Sequence, residues 1–266
     1  MKSVVVDGVR LEYRWIGPAP ADAPTIVLLH EGLGSAGLWR DFPDHLAEGT
    51  GCGALVYSRA GYGGSAAIEL PRPLDYMNRE GERVVGPLLD ALEVTDAILY
   101  GHSDGGTIAL VHASVDGGAR VRGLILEAAH VFCEDVSVAA IERARAAYES
   151  DDLRERLRRH HGDNVERAFR GWCDAWLDPG FRRWSVTRDL AGIRCPTLVI
   201  QGEDDAYGTL AQVDAIADGV AGPVERLILP GCGHSPHRER AAEVLARVGS
   251  FVAPIVDGLR DRSSGT

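Results

Sequence analysis

The sequence predicts an α/β fold, a mostly parallel sheet of eight strands with helices on both faces. Three observations point there. Short apolar runs alternate along the chain with segments of helical periodicity. The first two runs are joined by Asp7-Gly8, a hairpin signal. One stretch, 133–188, breaks the alternation with helical pattern alone.

In order, Val4–Val6 and Val9–Ile16 flank Asp7-Gly8 and read as an antiparallel pair at one edge. Thr25–Leu29 is a compact apolar run of the kind a strand buried on both faces requires. Ala54–Tyr57, Ala97–Tyr100, Leu124–Leu126, Thr197–Ile200 and Arg226–Leu229 repeat the theme. Helical segments are expected at 36–48, 74–92, 104–116, 208–219 and 237–253, which makes the connections right-handed crossovers. The 133–188 segment reads as helices over Val138–Glu149, Leu153–His161 and Val165–Trp176. It holds Phe169, Trp172, Trp176, Phe181 and Trp184, and its place between two strands suggests a helical lid over the carboxyl edge of the sheet. The expected core is 1–132 with 189–257, and 258–266 reads as a polar, flexible tail.

Composition narrows the chemistry. The chain has 266 residues and a formal net charge of -11, with 45% apolar residues, values of a globular protein with one large core. Lys2 is the only lysine, so mechanisms that need an internal lysine, such as a Schiff base or the phosphate-gripping lysine of a P-loop, are excluded. An acidic balance repels phosphate backbones, so no nucleic-acid partner is expected. No run reaches the roughly 18 apolar residues of a membrane span, and the amino terminus lacks a signal-peptide pattern. The five cysteines are widely spaced without a C-x-x-C, which suits free thiols in a cytoplasmic protein and gives a disulfide framework or zinc site little support. The histidines show no metal-ligand spacing on a helix face, so neither metal nor cofactor is expected.

The strongest local signal is Gly101-His102-Ser103-Asp104-Gly105-Gly106, between a strand and a helix. A G-x-S-x-G by itself is weak, but a nucleophile on a sharp strand-to-helix turn needs small neighbours on both sides, and Gly101 and Gly105 supply them. The helix amino terminus that follows offers a positive end to a developing oxyanion. A serine hydroxyl needs a base and an orienting acid. Gln201-Gly202-Glu203-Asp204-Asp205 follows one strand, and Pro230-Gly231-Cys232-Gly233-His234 follows the next. Each places a polar residue past a strand's carboxyl end, where sites in open α/β sheets form.

The order serine, acid, histidine and the elbow motif resemble the α/β-hydrolase superfamily, and in particular its small, lidded, cofactor-free serine esterase and lactonase-like members. The resemblance covers nearly the whole chain and implies a lid inserted after strand six. It implies Ser103 as nucleophile and His234 as base. Counting three residues from Gly202 implies Asp205 as the acid, with Asp204 as second choice. His30-Glu31-Gly32 resembles the loop after strand three, which implies the backbone N–H groups of Gly32 and Asp104 as the oxyanion hole. Arg59-Ala60-Gly61-Tyr62-Gly63-Gly64-Ser65 resembles the structural loop after strand four.

The chain also departs from the family pattern. Glu31 stands where glycine is usual, Ser58 replaces a frequent aspartate, and Asp104 adjoins the nucleophile. A carboxylate near an oxyanion opposes its charge unless paired, and Arg59 is the expected partner of Asp104. Glu31 either points into a hydrogen-bonded loop network or meets a polar or cationic substrate group. Glu31, Arg59, His130, Trp172 and Trp176 are the expected substrate contacts. His30 and His102 are expected to organise the loop and the elbow, His237 to start a helix, and His160 and His161 to face solvent.

The expected activity is hydrolysis of a small carboxylic ester or lactone with an apolar or aromatic part. Cleavage of a carbon–carbon bond in ring-cleavage products and thioester hydrolysis are the enzymatic alternatives, and a ligand-sensing binding module is the non-enzymatic one. Serine in place of aspartate at 103 excludes the usual haloalkane dehalogenase and epoxide hydrolase chemistry. Oligomeric state leaves no signal in the sequence.

Overall fold

The computed structural model describes residues 1–264. Eight strands form one sheet: β1 (Lys2–Val6), β2 (Val9–Ile16), β3 (Thr25–Leu29), β4 (Gly53–Tyr57), β5 (Ala97–His102), β6 (Val121–Glu127), β7 (Thr197–Gly202) and β8 (Val224–Leu229). Their spatial order is β1-β2-β4-β3-β5-β6-β7-β8. The β1–β2 hairpin is antiparallel and joins β4 antiparallel; the pairs from β4 to β8 are parallel. β3, β4, β5 and β7 are buried along their full length, as strands covered on both faces must be.

Alternate residues of these strands feed two cores, following the two-residue period of a strand. Val27, Leu29, Leu55, Leu99, Leu126 and Val199 face one side. Ile26, Leu28, Val56, Ile98, Ile125 and Ile200 face the other. The first core takes α2 (Tyr76–Arg83), α3 (Val85–Ala91), α4 (Asp104–Asp116) and α8 (Leu210–Gly219). The second takes α1 (Phe42–Thr50) and α10 (Ala241–Ser264), with the short α9 (Pro236–Glu239) before it.

Several boundaries differ from the sequence reading for identifiable reasons. The helix expected over 36–48 is a 3-10 turn, Ala36–Trp39, followed by α1, because Arg40 takes a left-handed conformation at φ 53. The helix expected over 74–92 breaks at Val84, where the ring of Pro87 opposes the carbonyl of residue 83. The segment from 258, expected to be a flexible tail, continues α10, which runs through Pro254 to Ser264. Val248, Phe251, Val252 and Val256 are buried on both sides of the proline, and this anchoring offsets its missing N–H. Residues 265 and 266 of that tail lie outside the described residues. No helix among the described residues is long and apolar enough to cross a membrane.

Between β6 and β7 the chain forms α5 (Asp135–Ser150), α6 (Leu153–His161) and α7 (Val165–Leu177), then a 3-10 turn at Pro179–Arg183. An antiparallel bridge between Phe132 and Ser185 ties the two stems of this insertion together at its base. Trp176, Phe181 and Trp184 pack ring on ring within it.

Candidate active site

Ser103 stands alone between β5 and α4 with φ 54 and ψ -119, a conformation unfavourable for a non-glycine residue. Its surroundings hold it there. Its N–H donates to the Glu127 carbonyl at 2.8 Å, and its own carbonyl accepts from Gly106 and Thr107. The glycines are a packing requirement. A Cβ at position 105 would fall inside the van der Waals shell of the Leu29 carbonyl oxygen, and one at 101 inside that of the Gly105 carbonyl. β3 and α4 therefore approach closely enough to push the serine hydroxyl above the carboxyl edge of the sheet.

His234, in the loop after β8, places Nε2 3.0 Å from Ser103 Oγ. Its Nδ1 lies 2.9 and 2.8 Å from the two oxygens of Asp205, in the loop after β7. Asp205 is fixed in turn: Oδ1 accepts from the Tyr207 N–H at 2.8 Å, an Asx-turn, and Oδ2 accepts from Gln201 Nε2 at 2.7 Å. Burial opposes its charge, but His234 and the Tyr207 N–H outweigh burial and hold its carboxyl below the usual range. Asp204 is exposed, and its backbone N–H bonds to the Cys232 carbonyl. The three sequence-predicted residues thus form one hydrogen-bonded chain.

This chain opens into a cavity of about 230 Å³. Gly32, Leu33, Ser137, Ile141, Trp172, Trp176 and Tyr207 line it together with Ser103 and His234. The insertion supplies Ser137, Ile141, Trp172 and Trp176, and so forms part of the cavity wall. A Cβ at position 32 would collide with the Trp172 indole, so the loop after β3 and α7 fit only with glycine there. Asp104 also lines the cavity, at the first turn of α4, where backbone N–H groups have no intrahelical acceptor.

The carboxylate of Asp104 is engaged elsewhere. It accepts from the Tyr76 hydroxyl and from Trp176 Nε1 at 3.3 Å, and Arg59 Nη1 stands 3.9 Å away. Burial raises its pKa, against the pull of Arg59 and Tyr76. The expectation that Arg59 partners Asp104 agrees with this geometry. The expectation that Arg59 contacts substrate does not. Arg59 is 1% exposed and lies outside the cavity lining. Its guanidinium donates to the Glu31 carbonyl at 2.8 Å and rests over the Tyr62 ring, which locks it into the loop packing.

Glu31 does line the cavity, with Oε2 3.7 Å from His102 Nδ1. His102 holds the site from below, its Nε2 2.7 Å from the His234 carbonyl oxygen. Burial works against a charge on His102, but the nearby carboxylates of Glu31 and Glu127 prevail and raise its pKa to about 9. Glu31 is correspondingly held well below the usual carboxylate range, although its burial acts the other way. His30 is buried and accepts from the Arg59 N–H at 3.1 Å, as a loop organiser should.

Other residues were not anticipated. Glu127, at the end of β6, is fully buried and bonds His237 Nδ1 at 2.6 Å and the Tyr100 hydroxyl at 2.5 Å. Burial opposes its charge, yet His237 and His102 bring its pKa down to about 2. A charged residue closing an apolar run was the available signal. His102, Glu127 and His237 have ligand atoms within 4.8 Å of one another, the one such group among the described residues. Two of these side chains already bond each other and the third bonds the loop of His234, so the cluster is built as a support for that loop rather than as a metal cradle. The expectation that His161 faces solvent is corrected: its ring accepts from the Gly63 N–H and reaches the Leu33 carbonyl, which joins α6 to both loops beside the site. His160 is exposed.

A family model described as the alpha/beta hydrolase family matches residues 26–248. The chain belongs to the alpha/beta hydrolase family. The human serine hydrolase BPHL is 27% identical over 251 residues, which cover 90% of this chain and 82% of that protein. Epoxide hydrolase A of Mycobacterium tuberculosis is 33% identical over 100 residues only, 37% of this chain and 31% of that protein. Among solved structures, the enol-lactonase from Burkholderia xenovorans LB400 superposes with a TM-score of 0.75 at 24% identity, over 94% of this chain and 99% of that one. That likeness is one of fold.

Proposed function

We propose that this alpha/beta hydrolase cleaves a small carboxylic ester or lactone through an acyl-enzyme on Ser103. The observation that carries the reading is the Ser103–His234–Asp205 hydrogen-bonded chain opening into a cavity. His234 Nε2 takes the Ser103 proton as Oγ attacks the carbonyl. Asp205 holds Nδ1–H and stabilises the imidazolium that forms. The developing oxyanion is received by the N–H groups of Gly32 and Asp104. Collapse expels the alcohol with a proton from His234; the same histidine then deprotonates the water that releases the acid. The 3.9 Å approach of Arg59 and the hydroxyl of Tyr76 keep the Asp104 carboxylate from opposing the oxyanion charge.

The likeness to a human serine hydrolase over nearly the whole chain supports the same reading. The 33% match to an epoxide hydrolase spans a third of the chain, and Ser103 stands where that chemistry uses aspartate. The insertion over 133–188 acts as the lid. Its two tryptophans and Ile141 favour a substrate with an apolar part, at roughly 25 cal/mol for each square ångström buried. A cavity near 230 Å³ lies below the range for drug-sized ligands, which limits the enclosed part to a small group. The test is steady-state hydrolysis of p-nitrophenyl acetate and butanoate. The wild type should turn over both, and Ser103→Ala neither; equal rates from the two proteins would overturn the proposal.

A further inference from the structure

His130 is a polar side chain of the cavity with no part in that mechanism. His130 lies three residues past β6, beyond a left-handed turn at Ala128. Its backbone is pinned on both sides. Thr107 Oγ1 donates to the His130 carbonyl at 2.6 Å, and the next N–H, of Val131, donates to Gln212 Oε1 at 2.8 Å. The ring lines the cavity, set edge-on to Trp176 with centroids 5.2 Å apart, and 6.0 Å from the ring of His234. The residue is 2% exposed, yet its ring makes no hydrogen bond among the described residues.

We propose that His130 is a specificity-determining residue whose Nε2–H donates a hydrogen bond to a second oxygen of the substrate, one outside the scissile ester. The proposal rests on the serine hydrolase reading above. The tautomer decides which ring nitrogen can donate. Nδ1 is fully buried without a partner and sits against Gly208, where a Cβ would lie 3.4 Å from it and 3.1 Å from Cε1. A proton on Nδ1 would be an orphaned N–H packed against Gly208, which is rarer in proteins than an unpaired acceptor. The proton therefore resides on Nε2, the nitrogen with an open side. Burial, with help from His234, lowers the ring's pKa to about 3, so the ring stays neutral, with one donor, at working pH. A substrate of pure hydrocarbon would bury that donor unpaired beside the tryptophans, whereas an ether, hydroxyl or keto oxygen would pair it.

The experiment uses two isosteric substrate pairs. p-Nitrophenyl methoxyacetate and butanoate differ by one oxygen for methylene in the acyl part. 2-Methoxyethyl and butyl acetate differ in the same way in the alcohol part. The readout is the ratio of kcat/KM within each pair, measured on one preparation, so a change in folded fraction cancels. In His130→Leu the preference for the oxygenated member should fall about 2- to 12-fold in one pair, the range of one hydrogen bond. That pair identifies which side of the ester the oxygen occupies. His130→Gln, whose amide reaches the Nε2 position, should restore the preference; His130→Asn, which reaches only the Nδ1 position, should not. Gly208→Ala, which crowds the ring at 3.1 Å, should lower the same ratio if the leucine variant does not fold. Ratios within twofold of wild type in both pairs, or rescue by asparagine and not glutamine, would overturn the proposal. If the wild type hydrolyses none of the four esters, the function reading fails instead.

Discussion

Replacing Asp205 by asparagine removes one charge and one acceptor while keeping the shape. The structure dictates where the amide goes. Oδ1 must remain an acceptor for the Tyr207 N–H at 2.8 Å, so the new NH₂ takes the Oδ2 position, 2.8 Å from His234 Nδ1. There it donates to Nδ1 and draws the imidazole proton to Nε2, the nitrogen that must accept from Ser103. It also meets Gln201 Nε2 at 2.7 Å, donor against donor, and Gln201 is held in that orientation by the Gly208 carbonyl at 3.3 Å. The lost stabilisation of the imidazolium follows from Coulomb's law. A pair at 2.8 Å with an effective dielectric of about 20 is worth about 6 kcal/mol, or about 10⁴ in rate. Asp205 is enclosed and the His234 side chain is 18% exposed, so solvent screens this pair weakly. The assay is kcat on p-nitrophenyl acetate, with a thermal melt to verify folding. Asp205→Asn should lose about four orders of magnitude, a size seen when a triad aspartate is so replaced. Asp204→Asn, at an exposed position, should stay within about twofold. A folded Asp205→Asn within tenfold of wild type, or an equal loss in Asp204→Asn, would refute the reasoning.

Three further outcomes follow from the same geometry. Gly105→Ala should yield little folded protein, because its Cβ would enter the Leu29 carbonyl; soluble protein with a wild-type melting temperature would contradict the packing. Gly32→Ala should destabilise by about 1–3 kcal/mol as Trp172 is displaced, and should cut kcat/KM by at least about tenfold; unchanged melting and kinetics would show that the two elements do not meet as described. His102, raised from 6.5 to about 9 on folding, stabilises the protein fully below pH 6.5 and loses that contribution as pH climbs towards 9. The melting temperature should therefore fall over that window, and less steeply in Glu31→Gln, which removes one of the two carboxylates that favour the charged ring; parallel curves would contradict the pairing.

Much of the site could be read in the sequence because it sits at strand ends. Ser103 and Asp205 each follow a fully buried apolar strand, His234 follows the partly exposed strand β8, and the glycines that make room for them have no local alternative. The parts that resisted reading depend on partners far along the chain. His161 looks like a surface residue in a basic helix, but its partner is the Gly63 N–H, 98 residues away. Arg59 looks available at a strand end, yet the loop around Glu31 and the Tyr62 ring enclose it. Tyr207, which holds Asp205 and walls the cavity, follows the acid by two residues; the Asx-turn it closes is a local signal that the sequence carried. The helical end of the chain was obscured by Pro254, since the buried residues that outweigh its cost are visible only in the packing.

The central claim is that Ser103 carries the acyl group. The direct measurement is acid quenching within the first turnover on p-nitrophenyl butanoate, followed by peptide mapping by mass spectrometry. A butanoyl increment on the peptide containing Ser103, absent from Ser103→Ala and approaching one per protein in a slow-deacylating wild-type mixture, is the predicted result. Continued turnover in Ser103→Ala, or turnover in the wild type with the increment on another residue, would contradict it.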